Sequence, residues 1–228
     1  MTSSQISPSL FDFLRDLKAN NDRPWFEANK ERYQSEVRDP MLEFIGAFAE
    51  PLSEISPHFR ADTRPHGGSL FRIYRDTRFS KDKTPYKVNV GAHFRHVAGR
   101  DAHAPGFYLH LEPDACFAGC GVWRPDSGTL GRIRDAIVDR SEEWVSITTD
   151  SSFQDVFELR GQSLRRPPRG YDPEHPLIED LKRKDFIALA TFSESDAVKP
   201  EFFRQFVSIA QEGSGFVRFL SHAVGVPC

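Results

Sequence analysis

Residues 88–123, VNVGAHFRHVAGRDAHAPGFYLHLEPDACFAGCGVW, carry the pattern that decides the fold. Through 88–95, 107–112 and 115–123 the apolar period falls toward two, as in an extended strand with one buried face. Polar or glycine-bearing turns separate these runs and are short enough for hairpins, so the spacing predicts an antiparallel meander. Immediately upstream, residues 69–75 (SLFRIYR) read as one more strand, and Gly67 and Gly68 mark where this character begins.

Outward from the strands the period changes to that of helices. Leu10, Phe13, Leu14 and Leu17 fall on one helix face after the start signal Ser7-Pro8, and Asn20 and Asn21 stop it. Asp22 caps a second helix with Pro24 in its first turn and Trp25, Asn29, Tyr33 and Val37 along it; Asp39-Pro40 repeats the device. A third helix runs through Phe44, Phe48 and Leu52, with a break expected at Pro51. Downstream, Pro125 and Asp126 open a helix through Leu130, Ile133 and Ile137, and Trp144 closes the same packing unit. A strand at Phe186–Phe192 and helical segments at Phe202–Ile209 and Phe216–Val224 complete the chain. The expected fold class is α+β: amino-terminal helices, a central mostly antiparallel sheet, and carboxy-terminal helices packed on it. With no repeat or low-complexity linker, residues 1–228 are expected to form a single domain.

Twenty Phe, five Tyr and three Trp against two Met predict a core of planar rings, with Trp25, Phe26 and Trp123 among its buried members. Cys116 and Cys120 lie four apart on a strand, roughly 13 Å, too far to bridge, and no second ligand pair suits a metal. They are expected to be buried structural thiols. Neither a signal peptide nor a run long enough to span a membrane is visible, so a cytoplasmic protein without membrane contact is expected.

The net charge of −3 hides an asymmetry. Between Arg64 and Arg100 nine cations face two acids, a local +7 that leaves −10 on the remainder. The densest part, Arg72 to Lys87, is a connection longer than an ordinary hairpin loop, with Tyr74, Phe79 and Tyr86 among its cations. Arg72, Arg75, Arg78, Lys81, Lys83, Tyr86 and Lys87 are therefore the candidate ligand-binding residues, suited to phosphate or carboxylate. Arg75, Arg78 and Lys83 or Lys87 are expected to share one concave surface; a solvated loop pinned by its rings is the plainer alternative. A second basic run, Arg160, Arg165, Arg166 and Arg169, either faces the first or decorates an extended segment.

Other chemistries find little support. There is no phosphate-cradling glycine-lysine loop, Gly119-Cys120-Gly121 lacks the further glycine of a dinucleotide fingerprint, and Gly213-Ser214-Gly215 follows no strand. His93 and His110 could approach one another across a hairpin, with Asp101 and Glu112 the nearest acids in sequence and His96 and His103 between them. For a metal-dependent nuclease, Asp76 and Asp82 are flanked by cations, and Asp180 and Lys182 sit in mixed charge. No cofactor is expected.

The stretch Arg75–Lys87 resembles the signature of the domain of unknown function 2461 family. Asn20, Asn21, Arg23, Trp25, Phe26, Lys30 and Tyr33 match its helical motif, followed by Tyr108, Leu109 and His110, then Gly119, Gly121, Trp123 and Pro125, and Arg132 or Arg134. The likeness runs from about Leu10 to Val224. It implies that the basic loop belongs to the shared equipment of the fold, and it assigns no reaction. The leading expectation is binding of a phosphorylated or otherwise anionic small molecule. The alternatives are an enzyme acting on a phosphate-containing or nucleic-acid substrate and a protein-interaction module; the −10 outside residues 64–100 disfavours a long polyanion. The oligomeric state stays open.

Overall fold

The computed structural model describes residues 5–98 and 104–228; Arg100, Asp101 and His103 lie outside them. Helix α1 (Pro8–Ala19) begins at the expected cap, where the Ser7 hydroxyl oxygen accepts the Ser9 amide at 3.3 Å. It buries Leu10, Phe11, Phe13, Leu14 and Leu17. Asp22 caps α2 (Arg23–Ala28) by accepting the Trp25 amide at 2.8 Å. The chain continues through α3 (Lys30–Arg32), a π-helical segment (Tyr33–Arg38), α4 (Asp39–Ala47) and α5 (Ala49–Ile55). The break between the last two falls at Phe48, because Pro51 lacks the amide that would have bonded to Ala47.

Six strands follow: β1 (Phe59–Arg60), β2 (Val90–His96), β3 (Gly106–Leu111), β4 (Cys116–Val122), β5 (Glu158–Arg160) and β6 (Phe186–Phe192). Their order is β1-β2-β3-β4-β6-β5, every neighbouring pair antiparallel. The meander β2-β3-β4 is as the alternation predicts, and the chain has the expected α+β architecture. Residues 69–75 depart from it. They touch the β2 side only through isolated bridges, Leu70 to Ala92 and Tyr74 to Tyr86. Between those bridges one segment advances four residues and the other six, so the ladder breaks around Val88 and Asn89.

Between β4 and β6 lie α6 (Ser127–Asp139), α7 (Ser141–Thr148), α8 (Ser151–Val156) and α9 (Ile178–Leu181); α10 (Glu194–Ala197), α11 (Phe202–Glu212) and α12 (Ser214–Ala223) end the chain. Val90, Ala92 and Phe94, then Phe107, Leu109 and Leu111, then Ala118, Cys120 and Val122, point to one face of the sheet. Helices α11 and α12 pack across β4 on that side, and Phe48, between α4 and α5, meets Phe94 at 4.7 Å and Phe206 at 4.8 Å. Trp144 is fully buried 5.2 Å from Phe219, its indole donating to Asp180 at 3.0 Å. The core is the expected assembly of rings, and burial pushes the Cys116 and Cys120 thiols upward. Among the described residues no helix is long and apolar enough to cross a membrane.

One ring is not where composition placed it. Phe26 is buried and Trp25 half-buried, but Trp123 is 53% exposed. Val122 takes the core side at the end of β4, so strand alternation sends the next residue to the other face. There the Arg124 guanidinium lies 4.6 Å from the indole.

Candidate functional site

The helices cover one face of the sheet; the other bears a groove. Cross-strand partners point the same way, so the register stacks His93 beside Tyr108 and Gly119, His110 beside Phe117, and Gly106 beside Gly121 and Ile187. An ordinary solvent face would carry charged side chains at these positions. Here glycines form the floor and rings form the walls: Phe71, His93, Tyr108, His110, Phe117 and Trp123 enclose about 380 Å³ with Ile187 and Leu189. That is within the usual range for small-molecule sites, roughly 300–1,000 Å³. A Cβ on Gly119 would come within 2.9 Å of the Leu189 side chain, and at Gly121, with φ of 116°, it would collide with the Phe186 carbonyl. The backbone at Gly121 thus has no room for a side chain, and at Gly119 one would displace Leu189.

Polar atoms in the groove form a chain. Tyr108 Oη lies 3.2 Å from His110 Nδ1, and His110 Nε2 lies 3.1 Å from a Glu112 carboxylate oxygen. A carboxylate only accepts, so the proton sits on Nε2, and in the neutral ring Nδ1 accepts from the Tyr108 hydroxyl. Phe117 stacks on the His110 ring at 4.6 Å and 9°, fixing its plane. Burial raises the Tyr108 hydroxyl to about 12. Burial, aided by Arg95, lowers His93 to about 4, so that imidazole is neutral at physiological pH. His93 and His110 share the face but each stands opposite another residue, Tyr108 and Gly91 respectively. Among the described residues no cluster of His, Cys, Asp and Glu could hold a metal.

The basic loop divides into spent and unspent cations. Arg75 is tied to Asp82 and to the Thr84 hydroxyl, and Arg78 to Asp76 at 2.7 Å. Asp82 is held down to about 2 by the Thr84 amide and then Arg75, and Asp76 to about 2 by Arg78. Lys83 donates to the Thr77 carbonyl at 2.8 Å. Tyr86 is buried, stacked on Phe26 at 4.1 Å, and its backbone amide and carbonyl both bond the side-chain amide of Asn21. Lys81 and Arg72 are exposed. Lys87 differs from all of these: it is half-buried, and its amine lies 5.3 Å from the ring of Phe71, itself a residue of the groove wall. Burial and then Arg72 lower its pKa, and no carboxylate among the described residues offsets either effect.

Arg75 and Lys87 border one shallow hollow with Lys18 and Asn21, while Arg78 and Lys83 are occupied within the loop. The second basic run begins on β5, at the opposite edge of the sheet from this loop, and Arg160 is paired with Glu158 at 2.6 Å. Asp180 is engaged by Trp144 and Arg183, and Lys182 by Glu179. Arg134 is buried, donating to the carbonyls of Leu181 and Arg183.

The family model described as conserved hypothetical protein (DUF2461) matches residues 9–219. The chain belongs to this family. No curated protein and no solved structure matches it. Several residues of the resemblance, Tyr108, His110, Gly119, Gly121 and Trp123, line the groove of this DUF2461 protein. Phe71 and Phe117 had no such signal. The missed clue was that Gly91, His93, Gly106, Tyr108, Phe117, Gly119 and Gly121, on the alternate positions of three strands, are small or aromatic instead of charged.

Proposed function

We propose that the groove binds a small molecule with a flat apolar body and an anionic group, the anion resting against Lys87 and Arg72. Lys87 carries the reading. A half-buried ammonium without a carboxylate partner is costly, and an incoming anion relieves that cost. The glycine floor and ring walls supply the matching surface for a planar body. Of the seven basic-loop candidates, Arg72 and Lys87 thus become the primary contacts, Arg75, Arg78, Lys83 and Tyr86 hold the loop's shape, and exposed Lys81 takes neither part.

An aromatic sulfonate dye whose fluorescence rises on leaving water tests this. Lys87→Met is expected to weaken binding at least about tenfold, worth about 1.4 kcal/mol, and Gly119→Val to abolish it, with Lys83→Met unchanged. Equal losses in the two lysine variants, or none in either, overturn the reading.

A further inference from the structure

We propose that the chain Tyr108–His110–Glu112 takes a proton from a hydroxyl of the groove's ligand, making the groove a site that converts a hydroxylated, ring-bearing molecule into its oxyanion. This rests on the binding reading above.

The arrangement has a direction. Glu112 fixes the Nε2 proton of His110, leaving Nδ1 as acceptor for the Tyr108 hydroxyl proton. Tyr108 is thereby committed as a donor to His110, and the function left for its oxygen toward the groove is acceptance. A ligand hydroxyl is the complement. As the ligand O–H bond breaks, its proton forms the new O–H bond of Tyr108, whose original proton passes to His110 Nδ1. The ligand oxygen keeps the electron pair, and the imidazolium so formed stands against the Glu112 carboxylate. Tyr108 begins and ends protonated, so it relays without ionising. Phe71 is a neighbour that this chain and the cation share: its ring is 5.9 Å from that of Tyr108 and 5.3 Å from Lys87 Nζ. The new negative charge therefore forms near a ring that also meets an ammonium without a carboxylate partner among the described residues.

Among the described residues the other titratable groups facing the chain are few. On β2 they are His93, in T-shaped contact with Tyr108, and Arg95. The β4 and β6 neighbours, Phe117, Gly119, Ile187 and Leu189, carry no charge, and β5 adds Glu158 and Arg160 at the far edge, paired to each other. Glu112 is thus the acid positioned to hold an imidazolium at His110.

The test uses 4-nitrophenol, whose visible absorbance reports its ionisation, with 4-nitroanisole as the analogue lacking a donor. In the wild-type protein the bound phenol's ionisation midpoint is expected to fall by at least one pH unit, a tenfold change in the phenolate-to-phenol ratio, and nitroanisole to bind at least fivefold more weakly. Tyr108→Phe, His110→Gln and Glu112→Gln should each lose most of that shift while keeping measurable nitrophenolate binding and the wild-type cooperative thermal transition, which shows the fold intact. Lys87→Met should weaken phenolate binding yet keep part of the shift. If the shift survives in Tyr108→Phe and His110→Gln, the field of Lys87 alone produces it and the relay is wrong while the binding reading stands. Binding of the sulfonate dye without any shift in nitrophenol also defeats the relay alone. Failure of the wild-type protein to bind dye or phenolate removes both.

Discussion

The two faces of one sheet are built from the same alternating residues to opposite ends. On the helix side, β2, β3 and β4 present Phe94, Leu109 and Ala118, all buried, with Phe94 packed against Phe48 and Phe206. On the open side the alternate residues are rings and glycines that meet neighbouring rings and, among the described residues, no covering helix. Aromatic content alone therefore does not identify a core. What separates the faces is whether helices supply the second layer, and where they do not, rings become walls.

Stability should separate the faces most strongly. Phe94→Ala is expected to cost about 3 to 5 kcal/mol by urea or thermal unfolding, whereas Phe117→Ala should cost under about 1.5 kcal/mol and instead weaken dye binding. Equal costs would mean that the open face is ordinary core. The next effect is acid sensitivity. His93 is held near 4 in the folded protein against about 6.5 unfolded, so the unfolded chain binds the proton first. Its neutral-form stability is full above about pH 6.5 and is lost as pH falls from there toward 4, a loss on the order of 3 kcal/mol. Thermal midpoints at pH 7 and pH 4.5 should therefore diverge less in His93→Gln than in the wild-type protein.

A smaller effect concerns Trp123. Exposed and stacked with Arg124, it should lose less than about 1 kcal/mol on replacement by Ala while the dye's affinity falls severalfold. A loss of 3 kcal/mol or more would return it to the packing role that composition suggested. The smallest expected effect is in the salt dependence of binding. One or two ionic contacts predict a logarithmic slope near −1 to −2 for the dye; tight binding of single-stranded oligonucleotides with a slope beyond about −4, weakened by Arg78→Ala and Lys83→Ala, would favour nucleic acid instead.

The fold was largely legible because long periodic segments announce themselves. Alternation through 88–123 and the capped run from Ser7 located β2, β3, β4 and α1 within a residue or two. β1 and β5, two and three residues long, offer too short a run for any period to show. Residues 69–75 alternate as a strand does, but alternation says nothing about whether a partner keeps step, and the two extra residues opposite them break the ladder. The site was half legible. Charge density located the loop yet could not tell Arg78, already paired with Asp76, from Lys87, which pairs with nothing described. That distinction depends on which acids lie within reach, and only the folded chain decides it.

The Asn21 side chain, bonded through both ends of its amide to the backbone of Tyr86, reproduces with one residue what an adjoining strand would offer. Tyr86 turns these groups away from Tyr74, outward, where an open edge would template the addition of another copy. A single amide thus occupies the groups that edge-to-edge addition of a strand would need, and its position in the turn between the first two helices ties that cover to the helical layer being in place. A chain whose first helices were not docked would carry these two groups uncovered.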